Sequence, residues 1–379
     1  MFVQNDKQPI IIIGAGLSGL AAAITLAKAG CQVEVHEAGS SVGQRFDGDL
    51  QGLENWTTRQ HALAFFNELG LTIQFNRLPC NNGHAFDAWG KHYPVTARKT
   101  LFYMVERGSG PGTLDSALFR QAQSLGVEVI FNSRLSKVDG PGVLAAGPKQ
   151  ADAIAVGYHF ETNMKSGYWV LLDDEIAPQG YAYLLVMKGK GTVKSCMFSD
   201  FKREHEFVDR TVDAFQRLAG LEMINPRPHG GAGNFRIPVR AASGTHPVVG
   251  EEAGFQDFLW GFGMRYAVWS GVLAARCLLD NRDYEQEWRQ TIRPLMRSSL
   301  INRVCFSMLG NSGYRWFLER STKRQWDIQE AFYHLYKPRL LKGLLYPWAK
   351  RRYHSQRQDE SCQHINCNCV WCRHGEAPH

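Results

Sequence analysis

A tight glycine turn between an apolar run and an alanine-rich segment constrains this chain more than any other feature. Pro9 to Ile13 reads as a buried strand, Gly14-Ala15-Gly16-Leu17-Ser18-Gly19 as the turn, and Leu20 to Ala29 as a helix. In such a unit Gly14 permits the turn, Gly16 lets a pyrophosphate approach the backbone, and Gly19 lets helix and strand pack closely. The phosphates then meet a helix N-terminus, where N–H groups and the helix dipole favour anions. A second strand, Gln32 to His36, ends in Glu37, which can accept hydrogen bonds from ribose hydroxyls and disfavours a 2'-phosphate. A merely glycine-rich helix start would not bring a second strand and an acid into register, so the unit reads as a dinucleotide site.

Glycine spacing alone does not separate flavin from nicotinamide. More than 200 residues on stands Gly250-Glu251-Glu252-Ala253-Gly254-Phe255, followed by Gly261-Phe262-Gly263-Met264 and a long apolar helix. This resembles the Gly-Asp-Ala-Ala-Gly-Phe, then Pro-x-x-Gly-x-Gly, motif of the geranylgeranyl reductases and related p-hydroxybenzoate-hydroxylase-fold flavoproteins. Gly250, Glu251, Ala253, Gly254, Phe255, Gly261, Gly263 and Met264 fall in the matching places. The resemblance implies bound FAD, with Glu251 near the ribityl-pyrophosphate stretch and Gly261, Gly263 and Met264 at a helix start facing the flavin pyrimidine ring. A helix N-terminus there would stabilise an anionic reduced flavin. It also implies a basic residue on the adenine side at Arg45, Arg107 ahead of a helix at Leu114 to Phe119, and a hairpin over the flavin between Ala177 and Phe198.

The resemblance spans about Ile10 to Leu279, and departures within it discriminate between branches. The hydroxylases carry a mid-chain Asp-Gly pair, whose nearest counterpart here, Ala151 to Tyr158, lacks it, and a His where this chain has Gly254. Both point to the reductase side. Against the reductase pattern, Asp47 fills the slot of a Cys near the flavin, Phe258 that of a Pro and Phe262 that of a Glu.

The implied architecture is α/β: a discontinuous Rossmann-like FAD-binding domain, an inserted antiparallel-sheet substrate domain and a helical C-terminal region. Residues 1–280 would hold the first two, with the insert at roughly 81–99 and 158–224; 281–358 would be helical and basic, and 359–379 a Cys-rich tail. Alternation in His92 to Thr96 and Gly167 to Leu172 fits the sheet, while Arg59 to Leu69, Thr113 to Leu125 and Phe201 to Leu218 show helical periodicity. Gly230-Gly231-Ala232-Gly233 is expected to turn before a strand at Asn234 to Arg240. It makes no second nicotinamide fingerprint, and the electron donor stays unassigned.

With 379 residues, 44% hydrophobic, the chain can bury a large core, and no segment is long and apolar enough to span a bilayer. The apolar stretch 9–29 carries the glycine turn and reads as fold, not signal peptide, which places the chain in the cytoplasm. Cys31, Cys80, Cys196, Cys277 and Cys305 then read as reduced, small core residues. The formal charge of +7 arises in residues 281–379, with 17 Lys or Arg against 9 Asp or Glu. Residues 337–353 interleave basic and apolar residues without an acid. Two readings stay open for them: peripheral contact with the inner face of an anionic membrane, or a short helix docking its leucines on the body, with Pro338 and Pro347 limiting its length. No nucleic-acid module accompanies the charge. In the tail, Cys362, Cys367, Cys369 and Cys372 suit zinc or, second, an iron–sulfur cluster, with His364 or His374 as substitute ligands; free thiols or a redox disulfide are the alternative.

Phe258, Trp260 and Phe262 are expected to line a hydrophobic channel, and Trp269 to be core. With the resemblance, these features imply a hydrophobic small-molecule substrate, isoprenoid or lipid-like, whose carbon–carbon double bond takes a hydride from reduced flavin and a proton from Asp47, Tyr181 or Tyr183. A flavin monooxygenase acting on a hydrophobic substrate, and a non-redox flavin cyclase or isomerase, are the competing classes.

Overall fold

The computed structural model describes residues 8–148, 151–323 and 327–353. Ile10–Ile13 is the inner strand of a parallel sheet, flanked by Val33–His36 and then Glu128–Ile130 on one side and by Gly142–Leu144 on the other. A parallel strand covered on both faces favours an unbroken branched run, and this one is four isoleucines. Helix Leu17–Lys28 follows the glycine turn, with Leu20, Ala23 and Ile24 fully buried. Helix Met264–Asp280 packs against it closely, because Gly271 has no side chain: a Cβ there would lie 2.1 Å from the Ser18 carbonyl oxygen. That single crossing brings the two glycine signatures together.

Beyond the parallel sheet lies a seven-stranded sheet in the order Ile224–Gly233, Ala153–Glu161, Lys190–Met197, Tyr181–Met187, Gly167–Leu172, Asn82–Asp87, His92–Thr96. All its pairings are antiparallel except that of Gly167–Leu172 with Asn82–Asp87. A small sheet of Leu50–Glu54, Phe102–Glu106 and Arg77–Cys80 connects the two. Helix Glu204–Ala219 covers the outer face of the large sheet through Ala214 and Phe215.

The structure corrects the reading of Gly230–Gly233. These residues end the strand Ile224–Gly233, paired in register with Ala153–Val156, while 234–240 form no strand. Glycine lacks the side chain that marks a strand in sequence, yet its backbone N–H and C=O can join a ladder as those of other residues do. Five helices follow among the described residues: Tyr284–Thr291, Arg293–Ser307, Gly310–Lys323, Ile328–Tyr336 and Leu340–Arg352. Pro347 sits inside the last of them instead of ending it. Cys80, Cys196 and Cys277 are buried, but Cys305 is exposed, contrary to its reading as core. No described helix is long and apolar enough to cross a membrane. The Cys-rich tail lies outside the described residues.

Candidate active site

A cavity of about 2090 Å3 runs from the glycine turn to the C-terminal helices. Its first end is built by backbone. Gly14 has φ +98°, and a Cβ there would lie 2.2 Å from the Ala145 carbonyl oxygen; one on Gly19 would lie 1.9 Å from that of Gly14. Around Gly16, by contrast, nothing lies within 4 Å of the Cβ position, so the space is open to a ligand. Gly16 caps helix Leu17–Lys28 without a side-chain hydrogen bond, leaving its first-turn N–H groups for an anion. Glu37 lines the cavity beside this turn, where its carboxylate accepts from the Ala15 N–H at 2.7 Å and the Gly39 N–H at 2.8 Å.

The second signature closes over the same space. Gly250, with φ +60°, donates its N–H to Ser270 at 2.9 Å, and its Cβ position abuts Ser18. Glu251 pairs with Arg45 at 3.0 Å, and Arg45 also donates to the Ala232 carbonyl. Glu252 is a cavity residue that sequence matching passed over; it accepts from the Ala146 N–H at 2.7 Å. Arg107 is buried in a two-bond fork on Asp115, at 2.7 and 2.8 Å, and lies over the Phe46 ring. Gly263 precedes helix Met264–Asp280, again with no side-chain cap, so a second helix N-terminus opens on the cavity.

The loop between these parts is held by one carboxylate. Asp257 accepts from the Trp260 N–H at 2.8 Å, the Leu259 N–H at 3.1 Å, Tyr336 Oη at 2.8 Å and the Ser299 hydroxyl. Trp260 and Phe262 consequently line the cavity as expected, but Phe258 does not: it is fully buried against Phe235 and Tyr353. An aromatic loop next to a core satisfies both demands with one residue type, so sequence cannot assign its members. Trp269 packs edge-on against Phe65 at the margin of the core.

The far end is apolar. Trp56 meets Phe262 edge-on at 4.8 Å and Phe102 meets Tyr168 at 4.9 Å, with Val170, Leu185 and Phe332 completing the wall. Tyr168 Oη and Trp260 Nε1 have no hydrogen-bond partner among the described residues.

Between the two ends the sheet supplies a charged group that no motif announced. Lys194 is buried, lines the cavity, and donates to Asp49 Oδ2 at 2.8 Å and to His229 Nδ1 at 2.9 Å. His229 therefore donates from Nε2 to the Arg45 carbonyl at 3.1 Å, and its ring stacks 4.1 Å from that of His159, which bonds Asp49 Oδ1 at 3.1 Å. Burial would raise the Asp49 carboxyl, but Lys194 and His159 outweigh it and hold the group below the usual carboxylate range. Burial and Lys194 push His229 down to about 4. Asp49, His159 and His229 are spaced as metal ligands would be, yet the Lys194 ammonium already bridges Asp49 and His229.

Of the three proton donors read from sequence, Tyr181 and Tyr183 line the cavity, and burial pushes both phenols well above their ordinary range. Asp47 lies outside the lining and accepts from the Ser109 N–H at 2.9 Å and its hydroxyl at 3.0 Å.

Residues 12–69 match the NAD(P)-binding Rossmann-like domain family. Over 203 residues the chain is 23% identical to the digeranylgeranylglycerophospholipid reductase of Haloferax volcanii, covering 45% of this chain and 50% of that protein. It thus spans about half the length of that curated relative. Among solved structures, a geranylgeranyl bacteriochlorophyll reductase-like protein from Thermoplasma acidophilum superposes with a TM-score of 0.65 at 16% identity, covering 90% of this chain and 97% of that one. The myxobacterial chondrochloren halogenase superposes with a TM-score of 0.60 at 15% identity, over 91% of this chain and 97% of that one. The fold is that of the p-hydroxybenzoate-hydroxylase-type flavoproteins, and the resemblance to their geranylgeranyl reductase-like members is borne out.

Proposed function

We propose that this chain is an FAD-dependent reductase of carbon–carbon double bonds in an isoprenoid or other lipid-like substrate. The observation that carries the reading is one continuous cavity of about 2090 Å3, open-backboned at the dinucleotide turn and aromatic at its far end. That exceeds the roughly 300–1,000 Å3 of a pocket for one drug-sized ligand. FAD fits the first end: the open cradle at Gly16, two uncapped helix starts, and Glu37 and Glu251 where ribose and ribityl hydroxyls need acceptors. Bound there and reduced, FAD supplies the hydride. Trp56, Phe102, Phe262 and Phe332 exclude water and orient an apolar chain. Lys194 has three N–H donors and spends two on Asp49 and His229, which leaves one for a ligand. We assign it the role of holding positive charge, and a proton at Nζ, beside the reacting centre.

The same fold also serves an FAD-dependent halogenase, so a flavin monooxygenase acting on a hydrophobic substrate is the second reading, and one experiment separates the two. The FAD-loaded protein is reduced without oxygen and mixed with a polyprenyl lipid while the flavin absorbance is followed. Reoxidation by the lipid alone is expected; a flavin that stays reduced until oxygen is admitted would replace the reductase with a monooxygenase-type enzyme.

A further inference from the structure

Helix Leu340–Arg352 meets the body along one side only. Ala349 is fully buried, Tyr353 packs edge-on against Phe258 at 5.3 Å, Tyr346 lies under Arg297 at 4.5 Å, and Lys342 bonds Asn302 and the Leu335 carbonyl. The opposite side carries Leu340, Leu341, Leu344, Leu345 and Trp348, exposed by 93, 73, 78, 47 and 38%. At 3.6 residues per turn these five fall within a stripe about 140° wide. The leucines are therefore not docked on the protein, which removes one of the two readings left open by the sequence.

We propose that this face is a docking surface for an anionic lipid bilayer, the helix lying in the interface with its leucines at the acyl boundary. Charge selects that occupant. Residues 337–353 contain Lys337, Arg339, Lys342, Lys350, Arg351 and Arg352 and no acid. Arg351 and Arg352 continue the apolar stripe at its end, where long basic side chains lay their stems on apolar surface and reach headgroup phosphates. A second copy of the chain fits poorly, because a two-fold interface would set the same six cations against themselves. The surface also follows directly on the cavity wall: Ile328 and Phe332 line the cavity from helix Ile328–Tyr336, and the exposed helix begins at Leu340. The proposal does not depend on the reaction assigned above.

Flotation of the full-length protein with vesicles tests it, using phosphatidylcholine alone or mixed in equal parts with phosphatidylglycerol. Binding is expected on the mixed vesicles, weaker on phosphatidylcholine, and falling with added salt. Leu341→Gln should lower the partition coefficient by about tenfold, and Leu341→Gln with Leu344→Gln further still. Arg351→Gln with Arg352→Gln should lower it by more than about tenfold on the mixed vesicles alone. Both side-chain pairs are exposed, so an unchanged circular dichroism spectrum confirms folding. No flotation with anionic vesicles, or equal flotation of the leucine variant, overturns the proposal. So does a dimer that Leu341→Gln with Leu344→Gln converts to monomer without vesicle binding, which would give the face to a second copy.

Discussion

Replacing Lys194 by Met removes one charge from a set of four side chains, two of them buried and two half-buried, and tests how that set is held. The ammonium lies 2.8 Å from Asp49 Oδ2, and both side chains are under 4% exposed. Two unit charges at that distance attract by about 6 kcal/mol at an effective dielectric constant of 20, most of it offset by their desolvation. Removing one partner of such a pair leaves a buried carboxylate uncompensated, a loss of about 3–5 kcal/mol, and deprives His229 Nδ1 of its donor at a cost of about 1 kcal/mol. Lys194→Met should therefore destabilise the protein by about 4–6 kcal/mol near pH 7, measured by urea unfolding. Adding Asp49→Asn should return at least about half of that, since the orphan charge is gone. The pH dependence has a definite sign. In the native protein Asp49 titrates below its unfolded value, so its contribution is fully present above about pH 4 and is lost as the pH falls through the lowered folded value. Without Lys194 burial dominates and the Asp49 carboxyl rises. The variant's penalty then shrinks as the pH is lowered from neutrality toward 5, while the native protein still keeps its full Asp49 contribution. A loss below about 1 kcal/mol, or a double variant less stable than Lys194→Met, would refute the pairing as the source of the order here.

Two glycines of one turn should separate folding from cofactor binding. Gly16→Val puts its side chain into open space, so urea stability should stay within about 1 kcal/mol of the parent while FAD no longer co-elutes on gel filtration. Gly19→Ala drives a methyl to 1.9 Å from the Gly14 carbonyl and should cost about 1–3 kcal/mol or prevent folding; a stable Gly19→Ala protein would contradict the tight packing of the turn on its helix. Asp257→Asn keeps the shape but turns one acceptor into a donor facing other donors, so the urea midpoint should fall by the equivalent of about 2 kcal/mol, and an unchanged midpoint would remove Asp257 as the anchor of the loop.

What could be read from the chain in advance follows from how far apart the responsible residues are. The turn at Gly14, the strand before it and the acid at Glu37 are local, and each leaves a mark at fixed spacing. The second signature also announced itself, although only the crossing at Gly271 explains why Gly250 ends against Ser18. The Asp49, His159, Lys194 and His229 set left no such mark. It draws on a segment before one sheet and on three strands of another, and polar residues in alternating strands look like solvent-facing positions until the other sheet covers them. Gly230–Gly233 misled for the opposite reason, since a strand without side chains has no alternation to read. The outward leucines of Leu340–Arg352 were ambiguous because amphipathicity gives a helix an apolar side without saying what meets it.

Proline occupies both outermost strands of the seven-stranded sheet: Pro226 and Pro228 in Ile224–Gly233, and Pro94 in His92–Thr96. A growing β-assembly needs a row of free backbone donors on a rim, and proline has none to offer. Pro226 and Pro228 stand two apart and so interrupt the same row twice. Both rims are in this way poor templates for a further strand, and the sheet that roofs the cavity numbers seven strands among the described residues.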